Sequence, residues 1–434
     1  MEKPNILIIL TDQQSSTMMS CAGNSHVSTP SMDSLAKDGV RFTRAACTNP
    51  VCVPSRFSLF TGYMPEIIGV RHNGDGRNPT EALQDILPHG MGFLLREAGY
   101  KTYYGGKQHF PSFTSKDIGF EQVTNNERDE LARVSAQFLS TKHEEPFLYV
   151  ASFINPHDIC YMAIDYYRDR YKRKGFFQKF RKLILESRNV KNILKIAPSI
   201  DDLPPLSGNH EVQEEEPEAV RSLFQREFKR VIRAEWNDEA WRQHRYVYAR
   251  LTEKVDSQIG VVLKALDERP HADDTVVIFT SDHGDHDGSH KLEHKTALYS
   301  EAVEVPFIIK WKGKLPGGKT VSNIVNNGLD LVPTVCDIAG IDKPRGLEGR
   351  SIIPLALGKE SKPRTWVPVE SEIGRAIWSE RWVYALYDEG EHREQLYDLK
   401  NDPGQTRNHL PEQAGMIETC REVARGFWPD IAFP

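Results

Sequence analysis

The chain lacks any apolar run long enough to cross a bilayer. The only such run near its start, Ile6 to Leu10, is far short of the roughly 20 residues that a spanning helix needs. It follows Pro4-Asn5, with no basic segment before it and no cleavage site after it, so it reads as a buried strand and not as an export signal. No membrane partner is expected. The chain reads as cytoplasmic, or as periplasmic or secreted if a signal peptide has been removed. Cysteine is scarce. Its six copies, Cys21, Cys47, Cys52, Cys160, Cys336 and Cys420, are scattered with no Cys-x-x-Cys pair, which excludes a zinc ribbon and a disulfide scaffold. Positive charge is not in excess either. With 55 Lys and Arg against 61 Asp and Glu, a net charge of -6, a nucleic-acid partner held by a basic face is excluded, although a local basic pocket is not. Internal repeats and low-complexity tracts are absent too.

What is present is material for a large core. At 434 residues, 39% of them hydrophobic, the length suits two domains or one large α/β domain with an appendage. Short apolar runs bounded by turn residues alternate with helical patterns, as in a mostly parallel sheet covered by helices. Strands are predicted at Asn5 to Leu10, Phe147 to Phe153, Thr275 to Thr280 and Val305 to Trp311. The clearest helix is carried by Tyr248, Leu251, Val255, Ile259, Val262 and Leu266, spaced by threes and fours into one apolar stripe that ends before Pro270. Met91 to Ala98, stopped at Gly99, and Leu331 to Ala339, stopped at Gly340, read as two more.

Two regions break the rhythm. From Tyr161 to about Trp241 the chain is highly charged, with a basic stretch from Arg168 to Lys182 and an acidic run at Glu214 to Glu216. This reads as an insertion of surface helices, its basic stretch either a solvated face or a rim that attracts an anionic polymer. After about Pro354, Trp382 to Tyr387 and Gln395 to Tyr397 suggest a small antiparallel sheet, followed by a last helix near Ala414 to Phe427.

Two of the predicted strands end in polar clusters that a fold does not require. Leu10 is followed by Thr11-Asp12-Gln13-Gln14, and Phe279 by Thr280-Ser281-Asp282-His283-Gly284. Ligands of open α/β sheets bind beyond the carboxyl ends of the strands, so both clusters can meet at one site. Asp12, Gln13, Asp282 and His283 would then offer two carboxylates, an amide oxygen and an imidazole to a divalent cation; the plainer alternative is loop and capping residues.

The stretch Asn49-Pro50-Val51-Cys52-Val53-Pro54-Ser55-Arg56-Phe57-Ser58-Leu59-Phe60-Thr61-Gly62 resembles the signature of the type I sulfatases, of the alkaline phosphatase superfamily: Cys-x-Pro-Ser-Arg, an apolar pair and Thr-Gly. Gly99-Tyr100 through Gly105-Gly106-Lys107-Gln108-His109 is similar to a second motif of that family, with Gln108 where an aromatic residue is common. Asn155-Pro156-His157-Asp158, Asp282-His283-Gly284 with Lys295 and Tyr299, the Glu253 to Asp256 helix segment and Glu394 to Pro403 extend the likeness to nearly the whole chain.

The resemblance implies an alkaline phosphatase-like α/β fold, with a large, mixed, mostly parallel sheet sandwiched by helices over residues 1–355 and a charged insertion at about 161–241. Residues 356–434 would form a small C-terminal α+β subdomain with an antiparallel sheet. It implies a sulfuric ester hydrolase whose Cys52 is converted to formylglycine by a maturation enzyme, the hydrated aldehyde being the nucleophile. Asp12, Gln13, Asp282, His283 and residue 52 would hold a divalent metal, calcium by default, with manganese or magnesium as alternatives because imidazole is less typical of a hard cation. Arg56, Lys107 and Lys295 would hold negative charge, His157 with Lys295 would protonate the leaving alcohol, and His109 would take the proton from the second hydroxyl as sulfate is expelled. His72, Asn73 and Asp158 are candidate substrate contacts; His286, His290 and His294 are either solvent-exposed or supporting residues, or direct contacts.

One departure stands out. Many sulfatases have paired aspartates at the first metal segment and Asp-Asn at the second, whereas this chain has Asp12-Gln13 and Asp282-His283. Such pairs resemble a branch with glycan sulfatases and phosphonate monoester or phosphodiester hydrolases. A sulfated saccharide is therefore the expected substrate. A phosphorus-ester hydrolase on the same scaffold and an inactive binder of sulfated glycans are the alternatives.

Overall fold

Successive side chains of a strand point to opposite faces, and the first strand shows the consequence. In β1 (Asn5–Asp12), Ile6, Ile8 and Leu10 join one core cluster while Leu7 and Ile9 join another, all of them buried. A strand apolar on both faces must be covered by helices on both sides. The computed structural model describes residues 3–171, 187–225, 227–269, 272–360 and 362–434, and it places β1 inside an eight-stranded sheet.

The partners are β2 (Val40–Phe42), β4 (Lys101–Gly106), β5 (Glu121–Thr124), β6 (Phe147–Pro156), β7 (Thr275–Ser281), β8 (Phe307–Lys310) and β9 (Lys319–Val321), in the order β5-β4-β6-β1-β7-β8-β2-β9. The first five in that order are mutually parallel. The predicted strand at Val305 to Trp311 is realised as β8, which runs antiparallel to β7 and to β2. A short parallel pair, β3 (Ala45–Ala46) with β10 (Val325–Asn326), lies apart. On one face pack Phe57 and Phe60 of the helix Cys52–Thr61, Leu95 of Met91–Glu97, and Val332 and Val335 of Asn327–Ala339. On the other pack Leu35 of Pro30–Asp38, Leu139 of Leu131–Ser140, and Val255, Ile259 and Val262 of Asp238–Asp267.

That last helix is longer than its apolar stripe. It starts ten residues before Tyr248, capped by Asn237, whose side chain accepts from the Ala240 amide at 3.0 Å. The helix predicted from Leu331 likewise starts at Asn327, capped by Asn326. The charged insertion differs from its reading as surface helices. Its described part buries Ala219, Val220, Leu223 and Phe224 against the C-terminal sheet, and Ile232, Trp236 and Trp241 in a small core of their own. Of the basic stretch, Lys172 to Lys182 lies outside the described residues.

The C-terminal region forms a four-stranded antiparallel meander: β11 (Val367–Ser371), β12 (Gly374–Trp378), β13 (Trp382–Tyr387) and β14 (Glu394–Asp398). The helix Ala414–Phe427 follows it. Among the described residues no helix is long and apolar enough to cross a membrane.

Asp256 ties the two helices of one layer together. Buried on the long helix, it accepts the Met32 amide at 2.9 Å and the Ser31 amide at 3.1 Å, capping the helix Pro30–Asp38, whose own Thr29 makes no side-chain cap. Asp256→Ala should lower the unfolding free energy by about 1–2 kcal/mol, read from the denaturant midpoint; an unchanged midpoint would remove the assigned cap.

Candidate active site

The parallel neighbours β4, β6, β1 and β7 end on the same side of the sheet. Across it, their ends present Lys107, His157, Asp12 with Gln13, and Asp282 with His283. The helix Cys52–Thr61 brings its first residue to the same place. Val51 before it is extended, and Gly62 closes it in the left-handed conformation with its N–H on the Ser58 carbonyl at 2.7 Å. Cys52 and Arg56 are one turn apart and therefore share a face of that helix.

Arg56, fully buried, is the organiser. Its Nε lies 2.8 Å from Asp282 Oδ2 and one terminal nitrogen 3.0 Å from Asp12 Oδ2. The other terminal nitrogen donates to the Lys107 carbonyl and to Ser152 Oγ, both at 3.0 Å. Lys107 Nζ joins the same Asp12 oxygen. Burial opposes the charge on Asp12, but Lys107, Arg56 and Lys295 among its neighbours outweigh it and hold the carboxyl well below its ordinary range. Asp282 goes the other way, raised by burial and by Asp12.

Each carboxylate turns its Oδ2 to Arg56 and leaves its Oδ1 for other partners. Asp12 Oδ1 is 3.9 Å from Cys52 Sγ, while Asp282 Oδ1 accepts from the amides of Gln13 and His283. His283 donates Nδ1–H to the Gly284 carbonyl at 2.8 Å, which turns its Nε2 to Cys52 Sγ at 3.1 Å. One donor atom each from Asp12, Cys52, Asp282 and His283, all buried, lie within 4.8 Å of one another. Two carboxylates and an oriented imidazole in one buried cluster fit a divalent cation.

Gln13 sits at the edge of that set. Its backbone is left-handed (φ 68°), its Oε1 accepts from Lys295 Nζ at 2.5 Å, and its Nε2 donates to Asp285 Oδ2 at 2.5 Å. In this arrangement the amide oxygen is engaged by Lys295. Lys295 Nζ also lies 3.1 Å from Cys52 Sγ. Burial and Asp12 push the Cys52 thiol up, but Lys295, Lys107 and His283 outweigh them and hold it well below its ordinary value. An anion at residue 52 is thus favoured two ways, by cations and by the helix N-terminus, against the cost of its burial.

The remaining predicted residues are placed unequally. His157 is partly buried with Nδ1 unpartnered among the described residues, and burial with Lys107 and Lys295 keeps it neutral. His109 is exposed in the left-handed region (φ 54°) and makes no hydrogen bond to Cys52. His72 is exposed and paired with Asp75 at 2.8 Å. Asn73, expected as a substrate contact, turns its Oδ1 to the Val53 amide at 3.0 Å and so caps the nucleophile helix. Asp158 is buried, with both oxygens committed to Arg128 at 2.8 Å and Asn189 at 2.9 Å. That pairing leaves it holding two segments together instead of facing a ligand. His286, His290 and His294 are buried, which corrects the solvent-exposed alternative; His290 stacks on Tyr299 with ring centroids 4.0 Å apart.

Asp285, absent from the sequence reading, orients Gln13 and is itself pushed up to about 7 by burial. Its signal was a second acid, three residues after Asp282, in the turn after β7. Tyr248, read only as a stripe residue, donates its hydroxyl to the Gln13 carbonyl at 2.6 Å.

Arg56→Ala strips the counter-ion from two buried carboxylates. It should cost about 3–5 kcal/mol of stability, measured by denaturation; an unchanged midpoint would contradict the bridging role.

Comparison with known proteins gives the same reading. The Sulfatase family model matches residues 4–341, and the model for the C-terminal part of N-sulphoglucosamine sulphohydrolase matches 288–425. A Delta 4,5-hexuronate-2-O-sulfatase of Bacteroides thetaiotaomicron is 31% identical over 433 residues, covering 94% of this chain and 84% of that protein. The solved structure of a 2-O GAG sulfatase superposes with a TM-score of 0.82 at 28% identity, covering 98% of this chain and 92% of the other. The phosphonate monoester hydrolase of Agrobacterium radiobacter (TM-score 0.74, 19% identity, 98% and 95% covered) shares the fold. The buried cysteine, the arginine one turn on and the carboxylates they meet thus lie within a match to most of the chain, and the chain belongs to the sulfatase family, as a type I sulfatase of the alkaline phosphatase superfamily.

Proposed function

We propose that this sulfatase hydrolyses sulfate monoesters of carbohydrates, with residue 52 converted to formylglycine by a maturation enzyme and a divalent cation held by Asp12, Asp282, His283 and residue 52, with Gln13 at its edge. The carrying observation is the convergence of Lys107, Lys295 and the helix N-terminus on residue 52, with Lys295 Nζ 3.1 Å from its side chain. A sulfate monoester is a tetrahedral anion, and preorganised cations in a water-poor site stabilise the charge that develops on its oxygens. The carbohydrate part is supported by the 31% identical relative, named for a sulfated hexuronate. The cation, when bound, would lower the pKa of a hydroxyl on residue 52 and polarise a sulfate oxygen.

The chain's own residues divide the rest. Lys107 and Lys295 flank the sulfate, Lys295 on the side of the leaving alcohol with His157, while Arg56, with its guanidinium committed to Asp12, Asp282 and Ser152, acts by fixing the carboxylates. In the resting pocket the two lysines help to keep His157 unprotonated. An anion bound between them offsets their field, so His157 gains proton affinity as substrate arrives, the state needed to protonate a departing alcohol. His109 keeps its proposed role in the second step only if its loop turns inward from the exposed position.

Calcium is the proposed ion and manganese or magnesium the alternatives. Removing it with a chelator should abolish sulfate release, and re-addition of one of these ions should restore it.

Cys52→Ala and Cys52→Ser should both abolish multiple-turnover sulfate release from defined mono- and disaccharide sulfates, while the parent protein shows the formylglycine mass at residue 52. Parent-like turnover by the alanine variant would sink the assignment.

A further inference from the structure

Lys295 sits in a backbone that non-glycine residues avoid. Asp287 (φ 49°), His290 (54°), Lys291 (52°), His294 (62°) and Thr296 (101°) all occupy positive φ within ten residues. Such conformations cost energy and persist only where the surroundings impose them, and a β-branched residue like Thr296 is the least tolerant. The segment nevertheless delivers Lys295 Nζ to 3.1 Å from Cys52 Sγ and 2.5 Å from Gln13 Oε1.

One constraint on the segment's end, at Thr296, comes from the C-terminal sheet. Ser371, fully buried at the end of β11, donates its hydroxyl to the Thr296 carbonyl at 2.7 Å. Its own carbonyl accepts from Arg71 at 2.6 Å. The Arg71 carbonyl in turn accepts from Asn49 at 3.0 Å, and two residues on, Asn73 caps the nucleophile helix through Val53. The preceding residue of β11, Glu370, donates its amide to the Thr48 carbonyl at 2.8 Å. One strand end therefore touches both the lysine segment and the approach to residue 52.

We propose that Ser371 is a positioning residue for Lys295, which makes the C-terminal sheet part of the catalytic apparatus. Its hydroxyl fixes the plane of the Thr296–Ala297 peptide and so holds the strained backbone from which Lys295 reaches residue 52; it touches neither substrate nor nucleophile. The proposal rests on the sulfatase reading given above.

The test compares Ser371→Ala with the parent on an aryl sulfate, whose leaving group needs little help, and on a sugar sulfate, whose alkoxide needs a great deal. Parent turnover is measured first, and its absence counts against the function instead of the positioning. Ser371→Ala should lower kcat for the sugar sulfate by about 10- to 100-fold, and for the aryl sulfate by clearly less. On a Lys295→Ala background the same change should cost less than about twofold, because the group being positioned is gone. Thr296→Gly supplies a second check that holds if Ser371→Ala alone folds poorly, since glycine takes a φ of 101° without strain. On that background, too, loss of the hydroxyl should cost less than about twofold. Equal losses on both substrates, or the full loss on the Lys295→Ala or Thr296→Gly background, would overturn the proposal.

Discussion

A single buried guanidinium between two carboxylates holds this site together. Asp12 ends β1, Asp282 follows the neighbouring parallel strand β7, and Arg56 reaches both from a helix that packs on the sheet. Without a cation the two acids could not both stay ionised out of water. With it, sheet and helix are locked in one register, and Cys52, one turn earlier on the same helical face, is delivered to the carboxylates' outer oxygens. Every nitrogen of the guanidinium has a partner in the protein, the condition under which a buried charge stabilises instead of disrupting.

The same cluster resolves the apparent mismatch between an acidic chain and an anionic substrate. The average charge of -6 describes the surface. At the ends of the central strands, three cations face two carboxylates, and the surplus is directed at residue 52 along with a helix N-terminus. Water exclusion magnifies this local surplus, whereas the distant surface acids are screened. The price is a tightly coupled set of pKa values in which Asp12 and the Cys52 thiol are held down while Asp282 is raised.

Much of this was legible in the sequence, and the exceptions have physical reasons. β1, β6 and β7 could be read because a strand buried on both faces needs an unbroken apolar run. The long helix could be read only where its stripe was apolar. Its first ten residues, four of them charged, carry no such stripe and depend on the Asn237 cap and on the packing of Trp241. The insertion misled because composition reports polarity and not which of its few apolar residues meet a partner: Val220, Leu223 and Phe224 are buried by a sheet that forms far downstream. In the site, Asp12, Arg56, Lys107, Asp282, His283 and Lys295, all picked out from sequence motifs, lie together around Cys52. The cap that Asn73 supplies was not legible, since a helix cap supplied from another loop has no local signature. Ser371 was invisible because its contact with Thr296 spans 75 residues and uses a hydroxyl and a carbonyl that carry no pattern.

We propose that this pocket prefers the sulfate monoester to its phosphorus analogues on the same fold. The most direct measurement is kcat/KM for an aryl sulfate, a phosphonate monoester and a phosphate diester sharing one leaving group, with residue 52 verified as formylglycine by intact mass. The account predicts that the sulfate is turned over with the highest kcat/KM. A higher value for either phosphorus ester would contradict it.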